Sequence, residues 1–182
     1  MAARTLPLSL DEFHRLYDGA KPAYEYWQGA AIRKSMPTVL HGVVQFLIMM
    51  LLENAGWNTA SEVRLKVSSE AEPVPDVIAV LGKFKGPYPT AGPELCVEIM
   101  SPGDTLPRVL EKAQRYIAWG TECVWIIDPE KRTAWSLSRE AAAEAAWISP
   151  GGCLQIRDTA ISLPALFEAV DKKLELTETE AC

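Results

Sequence analysis

The chain has 182 residues, of which 48% are hydrophobic and 23% are charged, and its formal net charge is −6 at pH 7. This composition is typical of a globular chain long enough to bury a sizeable core, so we expect one domain. The negative charge argues against an extended nucleic-acid surface, and any phosphate contacts should be local.

Neither the apolar segments nor the cysteines indicate export. The N-terminus has no apolar signal segment, and the most apolar stretch, 46–52, is too short for a bilayer span of about 20 residues. No CxxC pair occurs among the cysteines, so we expect buried, reduced thiols rather than zinc or disulfides. These cysteines are Cys96, Cys123, Cys153 and Cys182. We therefore expect a cytoplasmic protein without a membrane partner.

The first 34 residues predict a short helix followed by a hairpin. Ser9 and Glu12 form a capping-box pattern, which predicts a helix that ends near residue 17. Two short runs, 24–28 and 31–34, flank a glycine and are typical of paired strands. We interpret the basic residues that begin with Arg33 and Lys34 as a solvated strand face in preference to a DNA contact.

A longer helix and the first strands of a sheet follow. Thr38 is a suitable N-cap for a helix that continues to residue 54, and its apolar residues predict that both flanks are covered. The alternating segment 62–67 predicts a half-exposed strand, whereas 76–81 is apolar on both faces and belongs nearer the sheet centre. The segment 82–93 contains glycine and proline and should be a loop.

The next part of the chain has the order strand, helix, strand. Residues 94–100 and 123–127 read as buried strands, and the segment 101–119 between them predicts a helix. This order implies a right-handed crossover and a parallel strand pair inside a mixed sheet.

Beyond residue 131 the pattern is weaker. The alanine-rich segment 139–146 fits either a helix or a hairpin, and 164–170 predicts a short helix. We expect a single α/β domain over residues 1–182. Its predicted parts are a core at about 20–130, C-terminal strands and a short helix in 131–175, and a frayed tail at 176–182.

Two acids in or beside the buried strands are the strongest functional signal. Glu98 lies within an apolar run, and Asp76 opens another. A buried, unpaired carboxylate costs several kcal/mol, so Glu98 requires a raised pKa, an ion pair or a metal. If the two strands are neighbours, the two acids converge at one end of the sheet. Oxygen ligands favour Mg²⁺ or Mn²⁺, and the backbone carbonyl of Ile99 is a natural additional ligand.

The helix after Glu98 offers a cation for the same site. Lys112, Arg115 and Tyr116 are spaced so that all three can share the helix face that packs on the sheet. Lys112 then positions an attacking water or stabilises charge on a phosphate. The alternative is that Lys112 and Glu98 form only a structural ion pair.

Three further side chains each allow a structural and a functional interpretation. Glu25 is either a solvent-facing strand residue or a third acid of the site. His41 is either packed or exposed near a helix N-terminus, or it is a catalytic base. Tyr116 is expected to pack in the core with its hydroxyl group bonded. All three are candidates for accessory roles.

The motifs resemble those of a known family. They are Pro75-Asp76, Glu98-Ile99-Met100-Ser101-Pro102, Lys112 with Tyr116 and Gly120, and Trp125 with Asp128-Pro129. Their pattern is similar to the Uma-two family of restriction endonucleases, in the PD-(D/E)-x-K nuclease superfamily. The resemblance implies a restriction-endonuclease-like α/β core, a mixed β-sheet flanked by helices. It also implies Mg²⁺-dependent hydrolysis of DNA, with Asp76 and Glu98 as metal ligands and Lys112 as the catalytic lysine.

Three positions depart from that pattern and motivate a second hypothesis. Met100 stands where the superfamily has its lysine, Val74 where family members often have arginine, and Ala30 where they often have an acid. The alternative is therefore a nuclease-like fold that has lost catalysis and serves as a binding or regulatory module. A homodimer is expected in either case, because two-fold pairs are the commonest oligomers.

Overall fold

The computed structural model describes residues 7–141 and 144–174. Within these ranges the chain forms four helices and eleven strands. The helices are α1 (Leu10–Tyr17), α2 (Val39–Asn54), α3 (Leu106–Ala118) and α4 (Leu163–Lys173). The strands are β1 (Tyr24–Trp27), β2 (Ala30–Arg33), β3 (Asn58–Ser61), β4 (Ala71–Glu72), β5 (Val77–Val80), β6 (Leu95–Ile99), β7 (Cys123–Asp128), β8 (Thr133–Ser138), β9 (Ala145–Ile148), β10 (Cys153–Ile156) and β11 (Thr159–Ser162).

A mixed six-stranded sheet forms the centre of the fold, with the order β3-β5-β6-β7-β8-β9. The pair β6 and β7 is parallel, because α3 makes the crossover between them, and the other neighbours are antiparallel. The predicted mixed sheet flanked by helices, with one parallel pair, is confirmed.

Strand alternation sends neighbouring residues of β6 to opposite faces of this sheet. Val97 and Ile99 join a core with α2 and α4, whereas Cys96 joins a second core beneath α3. Glu98 shares the face of Cys96, and its side chain therefore points toward α3. Because side chains alternate along a strand, the carboxylate of Glu98 faces helix α3 and not solvent.

A smaller sheet carries the predicted hairpin, with the order β2-β1-β4. In its register Glu25 lies opposite Ile32, and Glu25 is buried. The chain leaves β2 at Lys34, whose N–H still bonds to the carbonyl of Ala23. A third pair, β10 and β11, lies beside α4 and completes the core on that side.

Two predicted boundaries were wrong. The strand predicted at 62–67 lies earlier, at β3, because Ala60 pairs with Ile78 and the following Glu62 has a positive φ of 56°. The helix predicted from residue 101 begins only at Leu106. Gly103 has a φ of 95°, which a right-handed helix cannot contain, and the residues before α3 form a turn.

Predicted burial was too complete on α2 and at Cys153. Phe46 is 54% exposed and Met50 is 40% exposed, so the central sheet and α4 do not cover α2 on every side. Cys153 is exposed rather than buried, since it opens the short strand β10. Trp119 at the end of α3 is half-buried as well and stacks on Trp27.

The C-terminal segments support one of the two alternatives. Leu137 pairs with Ala145 and Ser136 pairs with Ala146, so β8 and β9 form a hairpin and the end of the alanine-rich segment is strand. The short helix predicted at 164–170 is confirmed as α4. The tail predicted to fray lies outside the described residues. Across the two described ranges, no helix is both long enough and apolar enough to cross a membrane.

Candidate active site

A cleft of about 1120 Å³ lies between the hairpin, the first turns of α2, the ends of β5 and β6, and α3. Its walls carry six acids and three lysines, and four of these acids form ion pairs with two of the lysines. The paired residues are Glu25 from β1, Lys34 after β2, Glu62 after β3, Asp76 before β5, Glu98 from β6 and Lys112 from α3. Chain segments far apart in sequence therefore contribute charges to one cavity.

Glu98 is held from the side of α3. The ammonium group of Lys112 lies 2.9 Å from Oε1 and 3.0 Å from Oε2 of Glu98. The hydroxyl of Tyr116 donates to Oε1 over 2.7 Å. Lys112 and Tyr116 are one helical turn apart, so the same face of α3 presents both donors, as predicted from their spacing.

Glu25 is a buried partner of the same lysine. Its Oε1 accepts from the Lys112 ammonium at 2.7 Å and from the N–H of Val74 at 2.8 Å. Its Oε2 accepts from the indole of Trp27 at 3.0 Å. Of the two interpretations of Glu25, the inward one is correct, and Lys112 bridges Glu25 and Glu98.

Asp76 is held by contacts from β6, from the residue after β2 and from α2. Its Oδ2 accepts from the N–H of Ile99 at 2.8 Å, and its Oδ1 accepts from the ammonium of Lys34 at 3.0 Å. Gln45 of α2 donates to its backbone carbonyl at 2.7 Å. Asp76 is only 4% exposed, and an ammonium group and a backbone N–H group compensate for the burial of its carboxylate.

Lys34 and Glu62 are cleft residues that the sequence interpretation did not assign to the site. The ammonium group of Lys34 contacts Glu62 at 2.6 Å, Asp76 at 3.0 Å and the carbonyl of Val74 at 2.9 Å. The assignment of Lys34 to a solvated strand face was wrong, since the side chain is only 15% exposed. A usable signal was present, because Lys34 lies two residues after Ile32 and alternation places it on the face that Glu25 shares.

His41 and Arg115 occupy different positions in the cleft. The buried imidazole of His41 has Nδ1 3.1 Å from the Ser101 hydroxyl and Nε2 3.6 Å from Oδ1 of Asp76. Burial lowers its pKa more than Asp76 raises it, so the ring is neutral at pH 7. Arg115 turns to the rim, where its guanidinium lies over the Trp27 ring and bonds to Glu111.

The ion-paired cluster within the cleft carries excess negative charge. Its four carboxylates and two ammonium groups have a formal charge of −2, with His41 neutral. Burial raises the pKa of Glu98 to about 7; Lys112 opposes this shift, and the charges of Asp76 and Glu25 add to it. Burial also acts to raise the pKa of Asp76. The nearby charges of Lys34, His41 and Lys112 outweigh this effect and hold the pKa below its usual value.

The two lysines stay charged despite their burial. Desolvation alone would lower the pKa of each ammonium group. For Lys112, the charges of Glu25 and Glu98 more than compensate, and its pKa is raised above its ordinary value. Asp76 does the same for Lys34, whose pKa is also raised. The two lysines and the four carboxylates that pair with them thus combine fixed positive charges with a larger number of negative ones.

The donor set fits a divalent cation. Ligand atoms of His41, Glu62 and Asp76 lie within 4.8 Å of one another. Carboxylate oxygens with one neutral imidazole suit Mg²⁺ or Mn²⁺, and a charge of +2 would balance the surplus at the site. Glu98 is not one of these three residues, and both of its oxygens contact the ammonium group of Lys112.

Comparison with known proteins identifies the fold and the family of the chain. A putative nuclease belonging to DUF820 from Anabaena variabilis ATCC 29413 has a similar structure, with a TM-score of 0.74 and 23% sequence identity. The match covers 90% of this chain and 99% of that chain, so the two share a fold. No curated protein matches the chain. The model of the Uma2 family, described as "Putative restriction endonuclease", matches residues 10–167, and the chain therefore belongs to that family.

Proposed function

We propose that the protein is a Mg²⁺- or Mn²⁺-dependent endonuclease that hydrolyses phosphodiester bonds of DNA. The observation that carries this proposal is that Asp76, Glu98 and Lys112 lie in one cleft, within an ion-paired cluster of four carboxylates and two ammonium groups. Membership of a restriction-endonuclease family supports the reaction class. Such a cluster matches the needs of phosphoryl transfer, which depends on positioning and on charge stabilisation.

The proposed metal ligands are Asp76, Glu98 and the backbone carbonyl of Ile99. Glu62 and His41 lie close enough to Asp76 to support the same cation. When bound, the metal supplies an activated water at neutral pH and shields negative charge on the phosphodiester. The hydrogen bond between Ile99 and Asp76 keeps the two strands in register at this point.

The remaining roles belong to side chains of the chain itself. Lys112 orients Glu98 and Glu25 with its ammonium group and presents positive charge to the phosphate in the cleft. Tyr116 fixes Glu98 through its hydroxyl. His41, held by Ser101, has its second nitrogen 3.6 Å from Asp76 and is the accessory candidate for proton transfer.

Local basic residues at the cleft provide the phosphate contacts. Arg33, Arg108 and Arg115 line the cleft together with Lys21. A set of this size agrees with a chain whose net charge is −6, since an extended basic surface is not required. The homodimer and the cytoplasmic location expected from the sequence stay predictions.

The test is cleavage of supercoiled plasmid DNA with Mg²⁺ or Mn²⁺, compared with excess EDTA. Glu98→Gln and Lys112→Met should each reduce cleavage by about 100-fold or more, since each removes a charge at the reacting phosphate. Glu168→Gln and Lys172→Met, an exposed acid and lysine pair on α4, are matched controls and should cleave like the wild type. Wild-type rates in both cleft variants would overturn the assignment.

The second candidate is a nuclease fold that binds but does not cleave. The observation that favours it is Met100, which stands where the superfamily has its lysine, while Lys112 is engaged by two carboxylates. Isothermal calorimetry separates the two functions. Absence of Mg²⁺ or Mn²⁺ binding at millimolar concentration, in a folded wild-type protein, supports the binding module.

A further inference from the structure

We infer that Lys34 is a built-in counter-ion of the metal centre, which competes with the divalent cation for Asp76 and thereby sets metal affinity. The inference rests on the proposed function and adds to it a residue that controls how strongly Asp76 binds the metal. The ammonium group of Lys34 contacts Oδ1 of Asp76 at 3.0 Å. When a cation binds, Lys34 releases Oδ1 of Asp76 and keeps Glu62.

The contacts of the ammonium group are those of a cation site. Three oxygens surround Nζ of Lys34, from Glu62 at 2.6 Å, the Val74 carbonyl at 2.9 Å and Asp76 at 3.0 Å. Two of these residues, Glu62 and Asp76, also belong to the group with His41 whose ligand atoms lie within 4.8 Å. Lys34 and a divalent cation therefore draw on the same carboxylates.

Lys34 is placed to give up this contact without loss of the fold. It follows the last residue of β2 and lines the cleft on a flexible four-carbon side chain. Its partner Glu62 has a side chain that is 45% exposed, so Lys34 can turn toward solvent while it keeps this contact. Asp76, by contrast, is fixed through Oδ2 by the N–H of Ile99.

The second lysine of the cleft does not have this role. Lys112 contacts Glu25 and Glu98, both buried, and neither belongs to the group around His41. Release of Lys112 would leave two buried carboxylates unpaired, which is strongly unfavourable. Release of Lys34 leaves only Asp76 to be balanced, and the incoming cation does so. Lys112 thus provides a permanent positive charge, and Lys34 provides a displaceable one.

The test measures metal affinity without any nuclease assay. Mn²⁺ is titrated calorimetrically into the wild type, Lys34→Met and Lys34→Arg. Lys34→Met should bind Mn²⁺ about tenfold more tightly or better, because a positive charge beside the cation has been removed. Lys34→Arg keeps the charge and should stay close to the wild type. Lys66→Met, which removes a lysine lying over the Tyr88 ring, is the matched control and should not change affinity.

Thermal unfolding with Mn²⁺ and with EDTA provides a second readout. The stabilisation by Mn²⁺ should be larger in Lys34→Met than in the wild type at equal metal concentration. If Lys34→Met does not fold, Lys34→Gln offers a shorter neutral side chain and the same expectation. Unchanged or weaker Mn²⁺ binding in the folded neutral variant would overturn the inference, since a purely structural lysine would leave affinity unaltered.

The outcomes also separate this inference from the proposed function. A wild type that cleaves DNA, with unchanged affinity in Lys34→Met, overturns the counter-ion role alone. Tighter Mn²⁺ binding in Lys34→Met, with a wild type that never cleaves DNA, overturns the nuclease proposal alone. Absence of Mn²⁺ binding in both proteins overturns both.

Discussion

The backbone N–H of Ile99 donates a 2.8 Å hydrogen bond to Oδ2 of Asp76. Ile99 directly follows Glu98 in β6, and Asp76 directly precedes β5, its antiparallel neighbour. The bond therefore fixes the two candidate metal ligands on adjacent strands at the mouth of one cleft. The other carboxylate oxygen of Asp76, Oδ1, does not take part in this bond. It contacts the ammonium group of Lys34.

Asp76→Asn should abolish stabilisation by metal while preserving the fold. The amide oxygen of asparagine can still accept from Ile99, but the negative charge is lost. With Mn²⁺ at about 100 times its Kd, the wild type should gain about 2.7 kcal/mol. Thermal unfolding with Mn²⁺ and with EDTA measures this difference.

Asp128→Asn is the matched control for that experiment. Asp128 is equally buried, but its carboxylate closes the turn after β7 by accepting from the N–H of Lys131. This variant should keep the full response to Mn²⁺. A full response in Asp76→Asn as well would show that Asp76 is not a ligand.

Lys112→Met should destabilise the metal-free protein far more than Glu98→Gln. Loss of the ammonium leaves Glu25 and Glu98 buried without a cation, at a cost of roughly 3–5 kcal/mol. Glutamine at 98 can still accept from Tyr116, and Lys112 keeps Glu25, so we expect a change within about 1 kcal/mol. Urea unfolding in EDTA gives both values. Equal losses would indicate a simple two-residue ion pair.

Tyr116→Phe should cost more stability than Tyr26→Phe, although each removes one hydroxyl from a buried ring. The Tyr116 hydroxyl donates to a carboxylate, and such bonds contribute about 1.5–3 kcal/mol. The Tyr26 hydroxyl donates to the neutral carbonyl of Leu8 and should contribute about 0.5–1.5 kcal/mol. Urea unfolding of the two variants measures the difference. A smaller loss in Tyr116→Phe would contradict a charge-assisted bond to Glu98.

Gly92→Ala should destabilise the fold, and Gly82→Ala should not. A Cβ at Gly92 would lie 2.4 Å from the N of Thr121 and 2.7 Å from the carbonyl carbon of Gly120, so the backbone after α3 would have to move. At Gly82 a Cβ meets no atom within 4 Å. We expect losses of more than about 2 kcal/mol and less than about 0.5 kcal/mol, respectively, from urea unfolding. Similar stability of the two variants would contradict this packing.

Local sequence pattern was sufficient for most of the elements. The capping box at Ser9 and the cap at Thr38 both begin helices where expected, because capping is decided within a few residues. The apolar runs at β6 and β7 were also recognisable alone. The boundary error at 62–67 has another origin, since pairing with β5 selects which residues of that extended segment form β3.

The candidate site was predictable only in part. Asp76 and Glu98 stand out because each is an acid in an apolar surrounding, and the cleft brings both together with Lys112. For Lys34 the only signal is its alternation with Ile32, and Glu62 carries no local signal. Their contact spans 28 positions and depends on how the hairpin docks on the large sheet, which no local pattern specifies.

The docking of the small sheet has a consequence for folding. The hairpin holds Glu25, whose cation is on α3, and Lys34 immediately after it contacts the acid that precedes β5. Each side of that junction therefore carries a charge whose partner belongs to the other side. A form with the hairpin undocked would leave Asp76 and Lys112 short of their counter-charges. We expect the hairpin and the central sheet to fold as one cooperative unit, so that the cleft exists whenever the domain does.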